Sequence, residues 1–211
     1  MPNNKTQHKQ DPYYKKAKQE GYRARSYHKL LDIQKRYNIF KRAYNILDIG
    51  CAPGSWLQVA KKYAEDNLTK YNDQYYHREQ YIILGVDVKK ISPIENVNVL
   101  KMDFTEPNFR NKLEFYFKDK IDLILSDASV NKTGNKFSDQ LKQINLCYKI
   151  LELVKSYLKF KGVLVMKTFQ GSDYDLLIRN FKPEFRILKT FKPESSKKKS
   201  NEIYLIGLQK I

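Results

Sequence analysis

Four aspartates and a lysine stand where short apolar runs of this chain end. Asp48 lies in Asn45-Ile46-Leu47-Asp48-Ile49, just before Gly50. Asp87 follows Ile82-Ile83-Leu84-Gly85-Val86, and Asp103 follows Val97–Leu100 and Lys101-Met102. Asp127 follows Ile121–Leu125 and Ser126, and Lys167 follows Val163–Met166. Charges at the ends of buried strands need a partner or a purpose, because removing them from water unpaired is costly. In open α/β sheets ligands bind beyond the carboxyl ends of the strands, so these five side chains share one functional rim. Asp87 is placed to accept hydrogen bonds from two ribose hydroxyls. Asp103, followed by Phe104, is placed to bind an adenine amino group, with the ring flanked by apolar side chains. The plainer roles are a strand-end turn for Asp87 and a cap for Asp103.

The segment Asp48-Ile49-Gly50-Cys51-Ala52-Pro53-Gly54-Ser55-Trp56 reads as a strand, a Gly/Pro turn and the start of a helix. Glycine lets a ligand approach the backbone closely at such a turn. The spacing is G-x-x-x-G and departs from the G-x-G-x-x-G of nicotinamide enzymes. D-x-G-x-x-P-G-x-W has instead the form of a pocket for S-adenosylmethionine. Gly50, Pro53, Gly54, Trp56, Asp87, Asp103 and Asp127 are the expected cofactor contacts. For Trp56, packing inside the fold is the competing role. Gly50 to Asp87 spans 37 residues, against about 20 in related pockets. The excess is attributed to an expanded, polar, Asn/Tyr-rich loop over 65–80.

The surrounding pattern is α/β. A basic tail or short helix over 1–20 precedes one domain over 21–211. Tyr27, Leu30, Leu31 and Ile33 give a helix from Arg23 to Tyr37, which Ser26 can cap. Strands are expected at Ile46–Ile49, Tyr81–Val86, Val97–Leu100, Ile121–Leu125, Val163–Met166, Phe185–Phe191 and Ile203–Leu208. Helices are expected at Ser55–Ala64, Phe109–Phe117, 139–159 and Tyr174–Phe181, with Gly162 breaking the chain. The whole is a single Rossmann-like domain, a seven-stranded, mostly parallel sheet with helices on both faces and between the first five strands. The last two strands pair antiparallel.

The formal charge is +17 over 211 residues. Residues 1–42 hold 12 basic and 3 acidic side chains, and 182–199 hold 7 and 2, so the two segments carry +14 of the total. Such a field at the ends suits a polyanion, nucleic acid ahead of an anionic membrane. Cys51 and Cys147 form no C-x-x-C or Cys/His cluster, and the three histidines are scattered. Neither a metal site nor a disulfide is expected, which fits a reducing, intracellular compartment. No run of about 20 apolar residues spans a membrane, and the N-terminus lacks the apolar core of a secretory signal.

These segments resemble the FtsJ/RrmJ (RlmE-like) family of ribosomal RNA 2′-O-ribose methyltransferases over nearly the whole chain. The matching stretches are Asp11–Tyr14, Tyr22–Leu30, the Asp48–Trp56 turn, Ser126-Asp127, Lys167–Gly171, and Lys192–Ser196 through Ser200–Tyr204. The resemblance implies S-adenosyl-L-methionine as cofactor, large-subunit ribosomal RNA as partner, and a catalytic Lys29, Asp127, Lys167 and Glu202. It implies a monomer in the cytoplasm, or in a mitochondrion or plastid if the source is eukaryotic. Methyl transfer from a sulfonium to a ribose hydroxyl is an in-line displacement that also needs a proton acceptor. Lys167 is the expected base, Asp127 and Lys29 orient it, and Glu202 positions the ribose or a lysine. A lysine serves as base only when neutral, a form favoured by burial, a neighbouring cation and the sulfonium. Lys197-Lys198-Lys199 and the N-terminal segment would grip phosphates. One departure is the Ala128-Ser129-Val130-Asn131 turn, where the family commonly has a proline. The alternatives are a tRNA anticodon-loop 2′-O-methyltransferase of the same superfamily and a non-catalytic RNA-binding ribosome-assembly factor. A nicotinamide dehydrogenase is disfavoured by the glycine spacing and the basic ends.

Overall fold

The computed structural model describes residues 11–71, 78–130, 133–171, 173–197 and 200–211. The segments 1–10 and 72–77, and Asn131, Lys198 and Lys199, on which some expectations fell, lie outside the described residues. In chain order the elements are α1 (Pro12–Gln19), α2 (Tyr27–Tyr37), β1 (Asn45–Ile49), α3 (Ser55–Lys70), β2 (Ile82–Asp87) and β3 (Asn98–Lys101). Then come α4 (Phe109–Tyr116), β4 (Ile121–Ser126), α5 (Lys136–Tyr157), β5 (Leu158–Phe169), α6 (Tyr174–Phe181), β6 (Phe185–Phe191) and β7 (Glu202–Lys210). The sheet order is β3-β2-β1-β4-β5-β7-β6. The first five strands run parallel, and β7 lies antiparallel between β5 and β6. The α/β class, the seven strands and the antiparallel pair are as the apolar runs predict. β1 and β4 are buried along their whole length, as parallel strands covered on both faces must be.

Two apolar layers sandwich the sheet. One joins Phe109 and Leu113 of α4, Ile150 and Val154 of α5 and Leu177 of α6 to Leu47, Ile124 and Leu164. The other joins Ala17 of α1, Leu30 and Ile33 of α2 and Leu57 and Ala60 of α3 to Ile46, Leu123 and Val165.

At the N-terminus the short-helix alternative holds, and three local expectations are corrected. Of the segment 1–20, the described part is helical from Pro12. Asp11 caps it by accepting from the Tyr13 N–H (2.9 Å) and pairs with Arg25, while Ala17 is buried. Helix α3 continues to Lys70, past the expected end at Ala64. A polar residue inside its core face hides the continuation: buried Asn67 donates to the Phe40 and Ala43 carbonyls (2.7 and 3.1 Å). Glu65 lies one turn from Lys61 at 2.8 Å, so part of the expected loop is helix. No helix separates β2 from β3; the connection is a loop closed by an Ile94–Val97 bridge. Finally, Gly162 does not break β5. The strand starts at Leu158 with a register shift against β4, and Lys161 takes up the irregularity at φ 63°.

Candidate active site

The parallel topology brings the carboxyl ends of β1, β2, β3, β4 and β5 to one edge. A cavity of about 390 Å³ opens there, lined by Gly50, Asp87, Asp103 and Asp127 of the expected cofactor residues, with Phe104, Val88, Met102 and Leu146 as apolar walls. Gly50 has φ +75°, and a Cβ there would lie 2.5 Å from the Ala128 Cα, so only glycine fits. Asp87 accepts the Ala52 N–H at 2.9 Å and the Lys89 N–H at 2.8 Å, one on each oxygen. Each oxygen keeps a lone pair for a hydroxyl donor. Asp103 accepts from the Thr105 N–H and hydroxyl (2.9 and 2.8 Å), an Asx turn that aims its carboxylate at the cavity.

Pro53, Gly54 and Trp56 do not line this cavity. Arg23 claims the far side of the turn: its guanidinium donates to the Pro53, Ser92 and Pro93 carbonyls, and a Gly54 Cβ would fall 2.9 Å from its Nη1. Gly54 makes room for a side chain of the protein. Trp56 is buried in the core, donating its Nε1–H to the Ser26 carbonyl at 2.9 Å. Ser26 makes no side-chain cap on α2; its hydroxyl meets that of Ser55 at 2.9 Å.

Asp48 is the rim aspartate for which the residue types alone suggest no role. It is fully buried, and neither carboxyl oxygen has a hydrogen-bond partner. Burial, reinforced by Asp127 and Asp87, pushes its carboxyl well above the usual range. The raised value means its stabilising protonated form is fully present below the unfolded value near 3.8 and is lost as pH rises through the folded value. Asp48→Asn is therefore expected to raise the thermal midpoint of the cofactor-free protein at pH 8, with the gain shrinking as pH falls towards 4. Scanning calorimetry across that range checks it; equal midpoints at pH 8 would count against an uncompensated carboxylate.

The second half of the site joins four elements. Lys167, at the end of β5, is 6% exposed. Its Nζ donates to the Asp127 backbone carbonyl (2.5 Å) and lies 3.2 Å from Asp127 Oδ1. Lys29 of α2 is ion-paired with Glu202 at the start of β7, and the Ser196 hydroxyl donates to the same Glu202 oxygen at 3.3 Å. Glu202 opens an interior strand, so it is not the solvated edge residue that its place in the sequence suggests. Tyr204 joins the two pairs. Its register partner is Lys167, its hydroxyl donates to Asp127 Oδ1 at 2.6 Å, and Lys29 Nζ stands 5.8 Å from its ring centroid. Burial, then Asp127 and Glu202, push the Tyr204 hydroxyl up, so it acts as a donor. The sequence signals for Tyr204 were its place at the end of the family-like Ser200–Tyr204 stretch and its position two residues after Glu202, on the same face of a strand.

Three carboxylates, Asp87, Asp103 and Asp127, line the cavity, and the orphaned carboxyl of Asp48 is buried in β1 two residues before Gly50. That set suits a cationic ligand carrying ribose hydroxyls and a flat ring. S-adenosylmethionine, with its sulfonium, ammonium and adenosine, fits this donor and acceptor set.

The FtsJ-like methyltransferase family matches residues 22–210 of the chain. The chain belongs to that family. Ribosomal RNA large subunit methyltransferase E of Methanobrevibacter smithii is 38% identical over 203 residues, covering 95% of this chain and 90% of that protein. The enzyme of the same name from Rickettsia akari is 36% identical, covering 95% and 85%. A Plasmodium falciparum crystal structure, assigned as a ribosomal RNA methyltransferase, superposes with a TM-score of 0.75 at 32% identity, covering 90% of this chain and 98% of that one. Fibrillarin from Aeropyrum pernix, with natively bound S-adenosyl-L-methionine, shares the fold at 13% identity and a TM-score of 0.52, over 86% and 73% of the two chains. In the FtsJ-like frame the cavity and the Lys29–Glu202 and Lys167–Asp127 pairs occupy a single rim of the sheet.

Proposed function

We propose that this protein methylates a ribose 2′-hydroxyl of large-subunit ribosomal RNA, using S-adenosylmethionine held in the rim cavity. The observation that carries the reading is the buried Lys167–Asp127 pair, linked through Tyr204 to Lys29 and Glu202 beside that cavity. The names of the relatives support ribosomal RNA of the large subunit as substrate. When bound, the cofactor supplies an electrophilic methyl group. Asp87 would hold its ribose, Asp103 and Phe104 would face its adenine, and Asp87 and Asp127 would offset its positive charge. Lys167 Nζ accepts the proton of the attacking hydroxyl, held in line by the Asp127 carbonyl and carboxylate. Lys29 and Glu202 fix the target ribose. Basic residues of α1 (Lys15, Lys16, Lys18) and α2 (Lys35, Arg36) grip neighbouring phosphates.

The test offers labelled S-adenosylmethionine with large ribosomal subunits, free ribosomal RNA or tRNA. The expected result is label in ribosomal RNA, mapped to a ribose by resistance of the adjoining bond to alkaline cleavage. Label on tRNA would move the substrate to the anticodon-loop branch. Label on a base, or none on any RNA, would overturn the reading.

A further inference from the structure

The turn after Asp127 lines the cofactor cavity through Ala128, Ser129 and Val130, and no regular element holds it. One side chain from α5 does. Gln143 is 1% exposed. Its Oε1 accepts the Val130 N–H at 3.2 Å, and its Nε2 donates to the Ala128 carbonyl at 3.3 Å and the Lys167 carbonyl at 3.4 Å. One turn further along, the Cys147 thiol donates to the same Lys167 carbonyl at 3.8 Å. A single buried amide thus spans the ends of β4, which leads into Asp127, and β5, which carries Lys167.

We propose that Gln143 is a positioning residue that sets the cavity wall at 128–130 and the spacing of the Lys167–Asp127 pair. The inference rests on the methyltransferase reading above. Its environment offers one N–H donor and two carbonyl acceptors, a complement that matches a carboxamide. A carboxylate can satisfy only the N–H, and an apolar side chain satisfies none. Buried groups left unpaired would drive the turn to shift. Among the described residues, the turn has one other tie, the Ala128 N–H to the Ser126 hydroxyl at 3.3 Å. Ala128 also packs against Gly50, where there is no slack, so displacement of the turn is felt at the cofactor.

Two variants test this. Gln143→Met keeps the volume and removes every hydrogen bond. It is expected to weaken S-adenosylmethionine binding by calorimetry about tenfold and to lower kcat by a similar factor. The KM for RNA should stay unchanged, because Lys29 and Glu202 are not touched. Gln143→Glu keeps the shape. Protonated, it can serve the Val130 N–H and one carbonyl; ionised, it faces two carbonyls. Its titratable neighbours are Asp127 just after β4, Lys167 on β5 and Cys147 on its own helix. Its kcat relative to wild type is expected to fall as pH rises from about 6 to 9, while thermal midpoints show both proteins folded. Wild-type affinity and kcat in a folded Met variant would overturn the proposal, as would a pH-independent ratio for the Glu variant. If Gln143→Met does not fold, the Glu profile decides alone. A wild-type protein that binds cofactor but methylates no RNA defeats the proposed function, while the affinity comparison still judges Gln143.

Discussion

Lys167→Ala is expected to bind S-adenosylmethionine almost as the wild type does and to lose about 10³-fold in kcat, the range in which a positioned proton acceptor contributes. The Lys167 side chain points at Asp127, and it is absent from the lining of the cofactor cavity. The loss should therefore appear in turnover and not in cofactor affinity. Lys167→Arg is the informative companion. It keeps a cation beside Asp127 but cannot shed its proton at working pH, so a base role requires it to be as inactive as alanine. Single-turnover methyl transfer at saturating cofactor and RNA is the measurement. An arginine variant within about tenfold of wild type would make Lys167 an electrostatic anchor and would leave the proton without an assigned acceptor.

Asp87→Ala should show the opposite split. Asp87 holds the Ala52 and Lys89 N–H groups as well as facing the cavity, so its removal strips both the wall of the pocket and the ribose acceptor. Hydrogen bonds to a charged group contribute roughly 1.5–3 kcal/mol each. Losing two ribose contacts is expected to weaken cofactor binding by about 10²- to 10⁴-fold, with much of kcat recovered at saturation. Calorimetry with S-adenosylmethionine and with adenosine checks it. Affinities within twofold of wild type would remove Asp87 from the binding site. Asp87→Asn, which keeps the shape and one carbonyl acceptor but turns an amide N–H towards the other backbone donor, shows how much of the loss comes from the charge and the second acceptor.

The rim of the site was readable because its signals are local. A carboxylate directly after an apolar run marks a strand end whatever the rest of the chain does, and the parallel order then gathers such ends on one edge. Asp87 at the end of β2 and Asp127 just after β4 were legible this way as strand ends, as were the seven strands. Helix α3 was misjudged at its end because Asn67 is polar yet buried, satisfied by carbonyls from the Phe40–Ala43 segment. No periodicity of hydrophobic residues registers such a side chain. Gly54 and Trp56 stand outside the cavity lining for a related reason. Their types fit a ligand turn, but which side of the turn meets a ligand and which meets Arg23 and Ser26 depends on where α2 and its preceding loop dock.

Residue order alone was enough to establish the α/β class, the glycine turn with its aspartates and, through resemblance, the family. Each of these depends on neighbours within a few positions or on motifs kept in sequence. The joining of Lys29 to Glu202 across 173 positions required the folded chain. So did the placement of Tyr204 between the two ion pairs, the isolation of Asp48 and the reach of Gln143 to both strand ends. These follow from β7 slotting between β5 and β6 and from α2 and α5 packing on opposite faces of the sheet. Burial and pairing are properties of surfaces brought together, and they have no counterpart in a linear pattern.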